Sequence, residues 1–486
     1  MAFLDDETWR GRIFTGSWVT SAGGDTAVVE PATGREIGRA GMAAPADVAD
    51  AAKVAANAQR AWAATPFQQR AAVLRKAAEL WRVHSEELGS WLARESGSTA
   101  AKVGFELHVA EQECLEAAAL PGRPSGSVLP SEAPRLSMAQ RVPAGVVGVI
   151  APFNAPLILS IRSVAPALAL GNAVILKPDP RTAVCGGVAL ARVFEDAGLP
   201  PGVLHVLPGG RETGEALVSD PNVRVISFTG STAAGRSVGE VAGRHLKRAH
   251  LELGGNSALI VTRDADLAGA VGAAAWGSFF HQGQICMTTG RHLVHESLFD
   301  DYVRLLAEKA DSLVVGDPAT GDVALGPLID AGQRDKIHAL VTDSVAAGAT
   351  LAAGGTYTDL YYRPTVLADR TASTRAYREE IFGPVAVVTP FESEDDAVKL
   401  AGDSEYGLSL GILTGDAMRG LALAERIPTG IVHVNDQTVN DEAHAPFGGV
   451  RASGTGSRFG GAEANIEAFT ETRWITARAG IPGFPL

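Results

Sequence analysis

The chain has few cysteines, a deficit of positive charge and no long uninterrupted apolar run. Its 486 residues contain only three cysteines, which lie far apart at Cys114, Cys185 and Cys286. An odd number of widely spaced thiols fits neither a disulfide framework nor a cysteine-rich zinc site. We therefore expect a reducing compartment and no bound metal.

Acidic residues outnumber basic ones, with 55 Asp and Glu against 42 Lys and Arg and a formal net charge of −13. Binding to nucleic acid or to an anionic membrane is disfavoured, because each requires a positively charged surface. The first seven residues, MAFLDDE, are acidic where a signal peptide would be basic. The sequence thus predicts a cytoplasmic protein that acts on small molecules.

The stretch 142–174 is largely apolar, but Asn154, Arg162 and several prolines interrupt it. Polar and charged residues at membrane depth are costly, so we expect no membrane span there. The Val- and Ile-rich run 146–150 instead predicts a strand buried on both faces. A proline-rich turn and a helix are expected to follow it.

Short apolar runs alternate with helical segments between residues 146 and 261. Strands are predicted at 146–150, 173–176, 204–207 and 225–228, and helices at 185–195, 212–218 and 233–241. This alternation is typical of a doubly wound parallel sheet, which binds ligands at the carboxyl ends of its strands. Upstream, helices are predicted from near Pro45 to Thr65 and from Arg70 to Trp81. The Pro/Gly/Ser-rich segment 120–137 breaks the helical pattern.

Two reactive side chains stand out: Cys286 in FFHQGQIC and Glu252 in ELGG. A deprotonated thiol is a strong nucleophile, and a separate carboxylate can act as a general base when the covalent adduct is released. A lone cysteine among Phe, Ile and Met is, however, typical of a small buried apolar residue. The turn 229–235, TGSTAAG, could bind a phosphate through its N–H groups, although such turns mostly cap helices.

Seven short motifs in matching order give the chain a resemblance to the NAD(P)-dependent aldehyde dehydrogenases over residues 14–475. The motifs are PFNAP (152–156), LKP (176–178), FTGS (228–231), LELGG (251–255), GQIC (283–286), EIFGP (380–384) and PFGG (446–449). Within that family, segments 177–185 and 435–444 are most similar to benzaldehyde and vanillin dehydrogenases.

The resemblance implies three catalytic residues. Cys286 would attack the aldehyde carbon, and the Asn154 side-chain amide would stabilise the resulting oxyanion together with the Cys286 backbone N–H. Glu252 would activate the water that hydrolyses the thioester, so that its removal should stall deacylation.

The resemblance also implies a bound NAD or NADP. Lys177 would contact the adenosine ribose, Gly230 and Ser231 the pyrophosphate, and Glu380 the nicotinamide ribose, with Phe382 packed beside it. The remaining expected cofactor-binding residues are Phe153, Pro178 and Pro180.

Pro180 departs from the family pattern. NAD-preferring members often carry a glutamate at this position, where it binds the ribose hydroxyls and repels a 2′-phosphate. Without it NADP is not excluded, and Arg181 or Arg211 could attract the phosphate. The preference between the two coenzymes stays open.

The implied substrate pocket is mainly apolar and consists of Ala155, Leu159, Arg162, Phe280, Ile285, Met287 and Phe447. The small side chain of Ala155 leaves room for a flat ring, which favours aromatic aldehydes. Arg162 could meet a phenolate or carboxylate of the substrate, or could form an ion pair with no role in binding.

The architecture implied by the resemblance is α/β, with a Rossmann-like coenzyme domain at 1–122 and 144–253 and a catalytic domain at 254–452. Residues 123–143 and 453–486 would be oligomerisation segments. The 123–143 hairpin would pair with the segment after Phe469 of a neighbouring subunit, so we expect a homodimer or homotetramer.

Three alternatives remain open from the sequence. One is an aliphatic or semialdehyde dehydrogenase of the same mechanism, and another is a non-redox acyltransferase or hydrolase that uses Cys286. The third is a binding protein that keeps the fold without the reaction. Glu252 favours hydrolysis over transfer to CoA, and the intact set of Asn154, Glu252 and Cys286 argues against an inert fold.

Overall fold

Two seven-stranded sheets form the framework of the chain in a computed structural model that describes residues 2–484. The strands of the first sheet follow the order Arg248–Glu252, Val223–Thr229, Val146–Ile150, Ala173–Lys177, Leu204–Val206, Arg12–Phe14 and Trp18–Thr20. The first five are parallel, and the last two are antiparallel additions at one edge. The strands predicted between residues 146 and 228 are confirmed.

Both faces of the first sheet are covered by helices. Val147 and Val149 belong to one buried apolar cluster, whereas Val146 and Ile150 belong to another. Successive side chains of a strand point to opposite faces, so a Val- and Ile-rich run can fill both layers of a parallel sheet at once. This explains why the run shows no alternation of apolar and polar residues.

The helices that accompany the first sheet include the five whose bounds were predicted, near 45–65, 70–81, 185–195, 212–218 and 233–241, whereas Asp6–Trp9 was not predicted. They are Asp6–Trp9, Pro45–Ala64, Phe67–Val83, Ser85–Ser96, Ala100–Ala119, Pro156–Ala169, Ala189–Asp196, Arg211–Ser219 and Thr232–Arg244. Pro45 occupies the first turn of its helix, where its missing N–H has no cost. The helix predicted at 185–195 starts with a π-helical turn, Val184–Val188.

The order of strands reverses beside Val146–Ile150. Its two neighbours, Val223–Thr229 and Ala173–Lys177, lie on opposite sides and come from different parts of the chain. A crevice opens at the carboxyl ends of strands at such a switch point. The turns after residues 150 and 229 therefore face each other across it.

The second sheet has the strand order Thr350–Ala353, Thr365–Ala368, Val385–Phe391, Thr289–His295, Ser257–Val261, Ser409–Leu413 and Ile431–Val434. Only the first of these strands is antiparallel to its neighbour. Its helices are Leu267–Phe279, Glu296–Ser312, Ala331–Ala346, Arg375–Arg378, Glu394–Gly402 and Ala417–Ala424. Separate apolar clusters again cover the two faces.

The C-terminal segment corrects one prediction. Thr470–Ala477 pairs antiparallel with Leu136–Pro143 of the same chain, and Gly126–Val128 completes a three-stranded sheet. The expected pairing of this segment with a neighbouring subunit's hairpin is therefore wrong. The Asn172 amide donates to the Phe469 carbonyl oxygen at 3.0 Å, which fixes the end of helix Ala462–Phe469 against its own first sheet.

The smaller elements were not predicted. They are the paired strands Asp25–Glu30 with Arg35–Gly41 and Tyr357–Thr358 with Tyr361–Tyr362, and the 3-10 turns Leu120–Gly122, Pro180–Thr182, Phe280–Gly283 and Arg451–Ser453. Across residues 2–484, the helices all fall short of the combined length and apolarity that a bilayer crossing requires.

Candidate active site

A cavity of about 410 Å³ opens at the crevice of the first sheet and extends to the second. Nine of the predicted site residues line it, namely Phe153, Asn154, Leu159, Lys177, Gly230, Ser231, Cys286, Glu380 and Phe382. Pro178 and Pro180 are not among its lining residues. A Cβ on Gly187 would lie 2.8 Å from Pro178 Cγ, so this proline packs against the next helix instead.

Cys286 follows a strained turn held by buried amide side chains. His281 and Gln282 have φ of 50° and 55°, in the left-handed region that residues other than glycine rarely adopt. Gln282 Nε2 donates to the carbonyl oxygens of Gly97 (3.1 Å) and Pro327 (2.8 Å). Gln284 Oε1 accepts from the Ile329 N–H at 3.1 Å. These bonds fix the backbone that carries the thiol.

Two glycines allow the first sheet to approach Cys286. A Cβ on Gly255 would lie 2.4 Å from the Cys286 carbonyl oxygen, and one on Gly254 would lie 2.3 Å from Glu380 Oε2. The Gly255 N–H donates to Glu380 Oε1 at 2.9 Å. Any side chain at these positions would push the three segments apart, so the Gly-Gly turn brings Glu252, Cys286 and Glu380 into one site.

Burial sets the protonation of these groups. It raises the pKa of Glu252 to about 8 and that of Glu380 to about 6. Burial, followed by the charges of Glu380 and Glu252, raises the pKa of Cys286 to about 12. Glu252 Oε2 accepts from the Gly449 N–H at 3.2 Å, while its Oε1 accepts no hydrogen bond within the described part of the chain. At neutral pH the unliganded site therefore holds a protonated thiol and a largely protonated Glu252.

An apolar cluster lies next to Cys286. Ile285, Met287 and Phe447 form it with two residues absent from the predicted set, Leu408 and Val439, and Phe280 packs on its border. The Phe280 ring stacks on Trp276 with centroids 4.4 Å apart. Such an environment suits a flat, apolar substrate group.

Arg162 is buried and ion-paired. Its guanidinium donates to Glu113 Oε1 at 3.3 Å and to the Asp441 carboxylate, and it lies 4.6 Å from the centre of the Phe447 ring. The sequence left open whether Arg162 meets a charged substrate group or forms an ion pair, and the structure shows the ion pair. Its Nη1 donates to no side chain or backbone group of residues 2–484.

The lining of the cavity fits a dinucleotide. Ser231 caps helix Thr232–Arg244 by accepting from the Ala234 N–H at 3.3 Å, and a Cβ on Gly230 would lie 2.6 Å from the Phe228 ring. A helix N-terminus reached through a glycine is a suitable place for a pyrophosphate. Glu380 also lines this cavity and contributes a carboxylate to it.

An arginine closes one side of the cavity. Arg181 lies 4.2 Å from the centre of the Phe153 ring, and Phe153 meets Phe382 edge to face with centroids 5.9 Å apart. Arg181 also donates to Asp179 at 2.8 Å and to Asp330 at 2.7 Å. Arg211 lies elsewhere, exposed and paired with a neighbour on its own helix.

Several polar residues of the site were missed by sequence reasoning. Lys102, Glu106 and Glu113 lie on one helix and are at most 1% exposed. Their spacing of four and seven residues places them on one helical face, a signal that was available. Asp441 and Asp330 carry no comparable local signal, because their partners are distant in sequence.

The model of the Aldehyde dehydrogenase family matches residues 18–475. The chain belongs to this family. It is 74% identical over 485 residues to a vanillin dehydrogenase from Amycolatopsis sp., with 100% of both chains covered. It is 52% identical to a benzaldehyde dehydrogenase (NAD+) from Pseudomonas putida, over 96% of each chain.

Solved structures agree with this assignment. The crystal structure of a salicylaldehyde dehydrogenase from Pseudomonas putida G7, complexed with salicylaldehyde, matches with a TM-score of 0.93 and 36% identity, covering 98% of this chain and 99% of that one. The enzyme is therefore an oxidoreductase that uses NAD or NADP. The predicted family, fold class and type of coenzyme are confirmed.

The raised pKa of Cys286 predicts slow alkylation at neutral pH. In the unliganded enzyme, inactivation by iodoacetamide should accelerate without a plateau between about pH 6 and pH 9, because only the thiolate reacts. Glu380→Gln removes a neighbouring negative charge and should raise the rate several-fold near pH 8. Glu379, which precedes Glu380 and is exposed, provides a control, and Glu379→Gln should leave the alkylation rate unchanged. A rate that reaches a plateau below pH 7 would show that the pKa of Cys286 is not raised.

Proposed function

We propose that this enzyme oxidises aromatic aldehydes of the benzaldehyde and vanillin type to carboxylic acids. The observation that carries the proposal is the position of Cys286, which borders both the cavity at the crevice of the first sheet and the apolar cluster of Ile285, Met287 and Phe447. The names of the similar proteins support the substrate class. The nearby Ala155 is small enough to leave room for a ring.

In the first half of the reaction the Cys286 thiol gives up its proton to solvent, and the resulting thiolate attacks the carbonyl carbon. A C–S bond forms while the carbonyl electron pair moves to oxygen, and the Asn154 amide with the Cys286 N–H stabilises this oxyanion. The bound coenzyme supplies the acceptor for the hydride that leaves the same carbon. A thioester on Cys286 remains.

In the second half Glu252 takes a proton from a water molecule that attacks the thioester. The C–S bond breaks, the acid is released and the thiolate returns. With its pKa raised to about 8, Glu252 must first lose its own proton, so this step becomes faster as the pH rises towards 8. Glu380 ionises at lower pH and is free to bind the coenzyme ribose.

An assay of coenzyme reduction with benzaldehyde, vanillin and a medium-chain aliphatic aldehyde tests the substrate class. We expect the aromatic substrates to give the higher kcat/KM, no reduction with Cys286→Ala, and a retained single-turnover burst with Glu252→Gln as deacylation stalls. The loss in Glu252→Gln turnover should be at least about 100-fold. Preference for the aliphatic aldehyde would overturn the substrate class and leave the mechanism intact.

We propose that the enzyme accepts both coenzymes. Pro180 stands where a glutamate would repel a 2′-phosphate, and Pro180–Thr182 forms a short 3-10 turn directly after the Lys177 strand. Arg181 is already held by Asp179 and Asp330, so its charge is partly neutralised. The absence of the repelling carboxylate, more than attraction by Arg181, supports this proposal.

Restoring the carboxylate should make the enzyme select NAD. Pro180→Glu is expected to raise KM for NADP at least about ten-fold while KM for NAD changes little, because a carboxylate close to a 2′-phosphate is repulsive. Pro180→Ala is the matched control for loss of the proline ring. Equal effects of both variants on both coenzymes would show that residue 180 does not select between them.

We propose that residues 1–122 and 144–253 bind the coenzyme, that 254–452 form the catalytic domain, and that 123–143 with 453–486 mediate assembly into a homodimer or homotetramer. The three-stranded sheet supports the last point, because Val128, Leu136 and Trp474 are 76, 48 and 65% exposed on it. We also propose a cytoplasmic location, which suits the unpaired thiols of all three cysteines.

Charging this sheet should dissociate the oligomer. Leu136→Asp combined with Trp474→Asp is expected to lower the mass measured by light scattering after size exclusion to that of a single chain. Leu246 is 89% exposed outside this sheet, so Leu246→Asp is the control and should leave the mass unchanged. An unaltered mass in the double variant would move the interface elsewhere.

A further inference from the structure

A buried ion pair lies behind the loop that carries Asn154. Lys102 and Glu106, one turn apart on helix Ala100–Ala119, are 1 and 0% exposed, and Lys102 Nζ lies 2.5 Å from Glu106 Oε1. Desolvation makes such a pair no more stabilising than apolar residues of similar volume. A net gain in stability therefore does not explain why the pair is present, and its contacts indicate another role.

The pair binds both sides of the Asn154 loop. Lys102 Nζ donates to the Asn154 carbonyl oxygen at 3.1 Å, while Glu106 Oε2 accepts from the N–H groups of Leu157 (3.0 Å) and Ile158 (3.4 Å). Helix Pro156–Ala169 has Ala155 at its N-cap, with no side-chain oxygen to accept from its first N–H groups. Glu106 fills that role from another helix.

The same corner of the chain also holds the segment before Cys286. Gln282 donates to the Gly97 carbonyl oxygen, and Gly97 ends the helix that precedes Ala100–Ala119. His281 lies close to Lys102, and burial together with the Lys102 charge keeps the pKa of His281 well below its usual range. The neutral imidazole can therefore sit beside the ammonium without repulsion. Residues 97–106 thus contact the two loops that carry Asn154 and Cys286.

We propose that Lys102 and Glu106 are positioning residues that hold the Asn154 amide at its working distance from the oxyanion formed at Cys286. This inference rests on the catalytic roles proposed above for Asn154 and Cys286. Oxyanion donors act through fixed geometry, and a small displacement of such a donor is costly. Loss of the Lys102 bond would free the Asn154 carbonyl, and loss of the Glu106 bonds would free the start of the next helix.

Pre-steady-state coenzyme reduction separates acylation from deacylation and tests the inference. Lys102→Met should lower the burst rate about ten-fold or more, with KM for the coenzyme within about two-fold of the wild-type value. Glu106→Gln keeps one acceptor for the helix N–H groups and should lower the burst rate less. If Lys102→Met does not fold, the burst rate of Glu106→Gln tests the inference: a lowered rate supports it and a wild-type rate overturns it.

A double-mutant cycle distinguishes positioning from general damage. Asn154→Ala alone should lower the burst rate about 100-fold, and adding Lys102→Met to it should cost less than about three-fold more, because the two changes remove one function. A full additional loss would overturn the inference, as would a wild-type burst rate in both single variants. No coenzyme reduction by the wild-type enzyme with any aldehyde would instead overturn the proposed function and this inference together.

Two control variants match the chemistry of these changes. Lys76→Met removes a lysine from an exposed pair with Glu79, and Glu95→Gln alters a buried carboxylate that accepts from the Val184 and Cys185 N–H groups. Both should keep the wild-type burst rate. If Glu95→Gln lowered the burst rate as much as Glu106→Gln, loss of any buried carboxylate would have the same effect. The positioning role of Glu106 would then be contradicted.

Discussion

Burial of acidic groups around a single thiol is the constraint on which the active site depends. Glu252, Glu380 and Cys286 are brought together by the Gly254–Gly255 turn in a place where their charged forms repel one another. Burial raises their pKa values to about 6, 8 and 12, so their protons are lost in sequence, first from Glu380, then from Glu252 and last from Cys286. Two carboxylates that lie beside one cysteine in the fold can thus have different tasks at the same pH.

Helix Ala100–Ala119 supports this site with an inward-facing row of charges. Lys102 and Glu106 hold the loop of Asn154. Seven residues further along the same helical face, Glu113 holds Arg162 against the Phe447 ring. Removing one member of such a buried pair leaves the charge of its partner without a counter-charge, which destabilises the fold, so the two members depend on each other. Asn154 lies on a loop, but the helix behind that loop determines where it can lie.

Local patterns in the sequence were sufficient for much of the fold. The runs at 146–150 and 173–176 become parallel strands because their Val and Ile side chains fill both layers of the sheet, and Pro45 begins a helix as expected. Contacts between distant segments were not predictable in this way. Asp441 meets Arg162 across 279 residues, and the strand after Phe469 returns to its own hairpin beside the docked end of helix Ala462–Phe469.

The return of the C-terminal strand to Leu136–Pro143 has a consequence for biosynthesis. Gln140 and Arg473, which are bonded in the completed sheet, are separated by 333 residues. One edge of Leu136–Pro143 therefore stays unpaired while the whole second sheet is translated, and it can be paired only after Thr470–Ala477 has left the ribosome. An exposed strand edge invites pairing with other chains. The nascent protein thus carries an aggregation-prone edge that the finished subunit has closed.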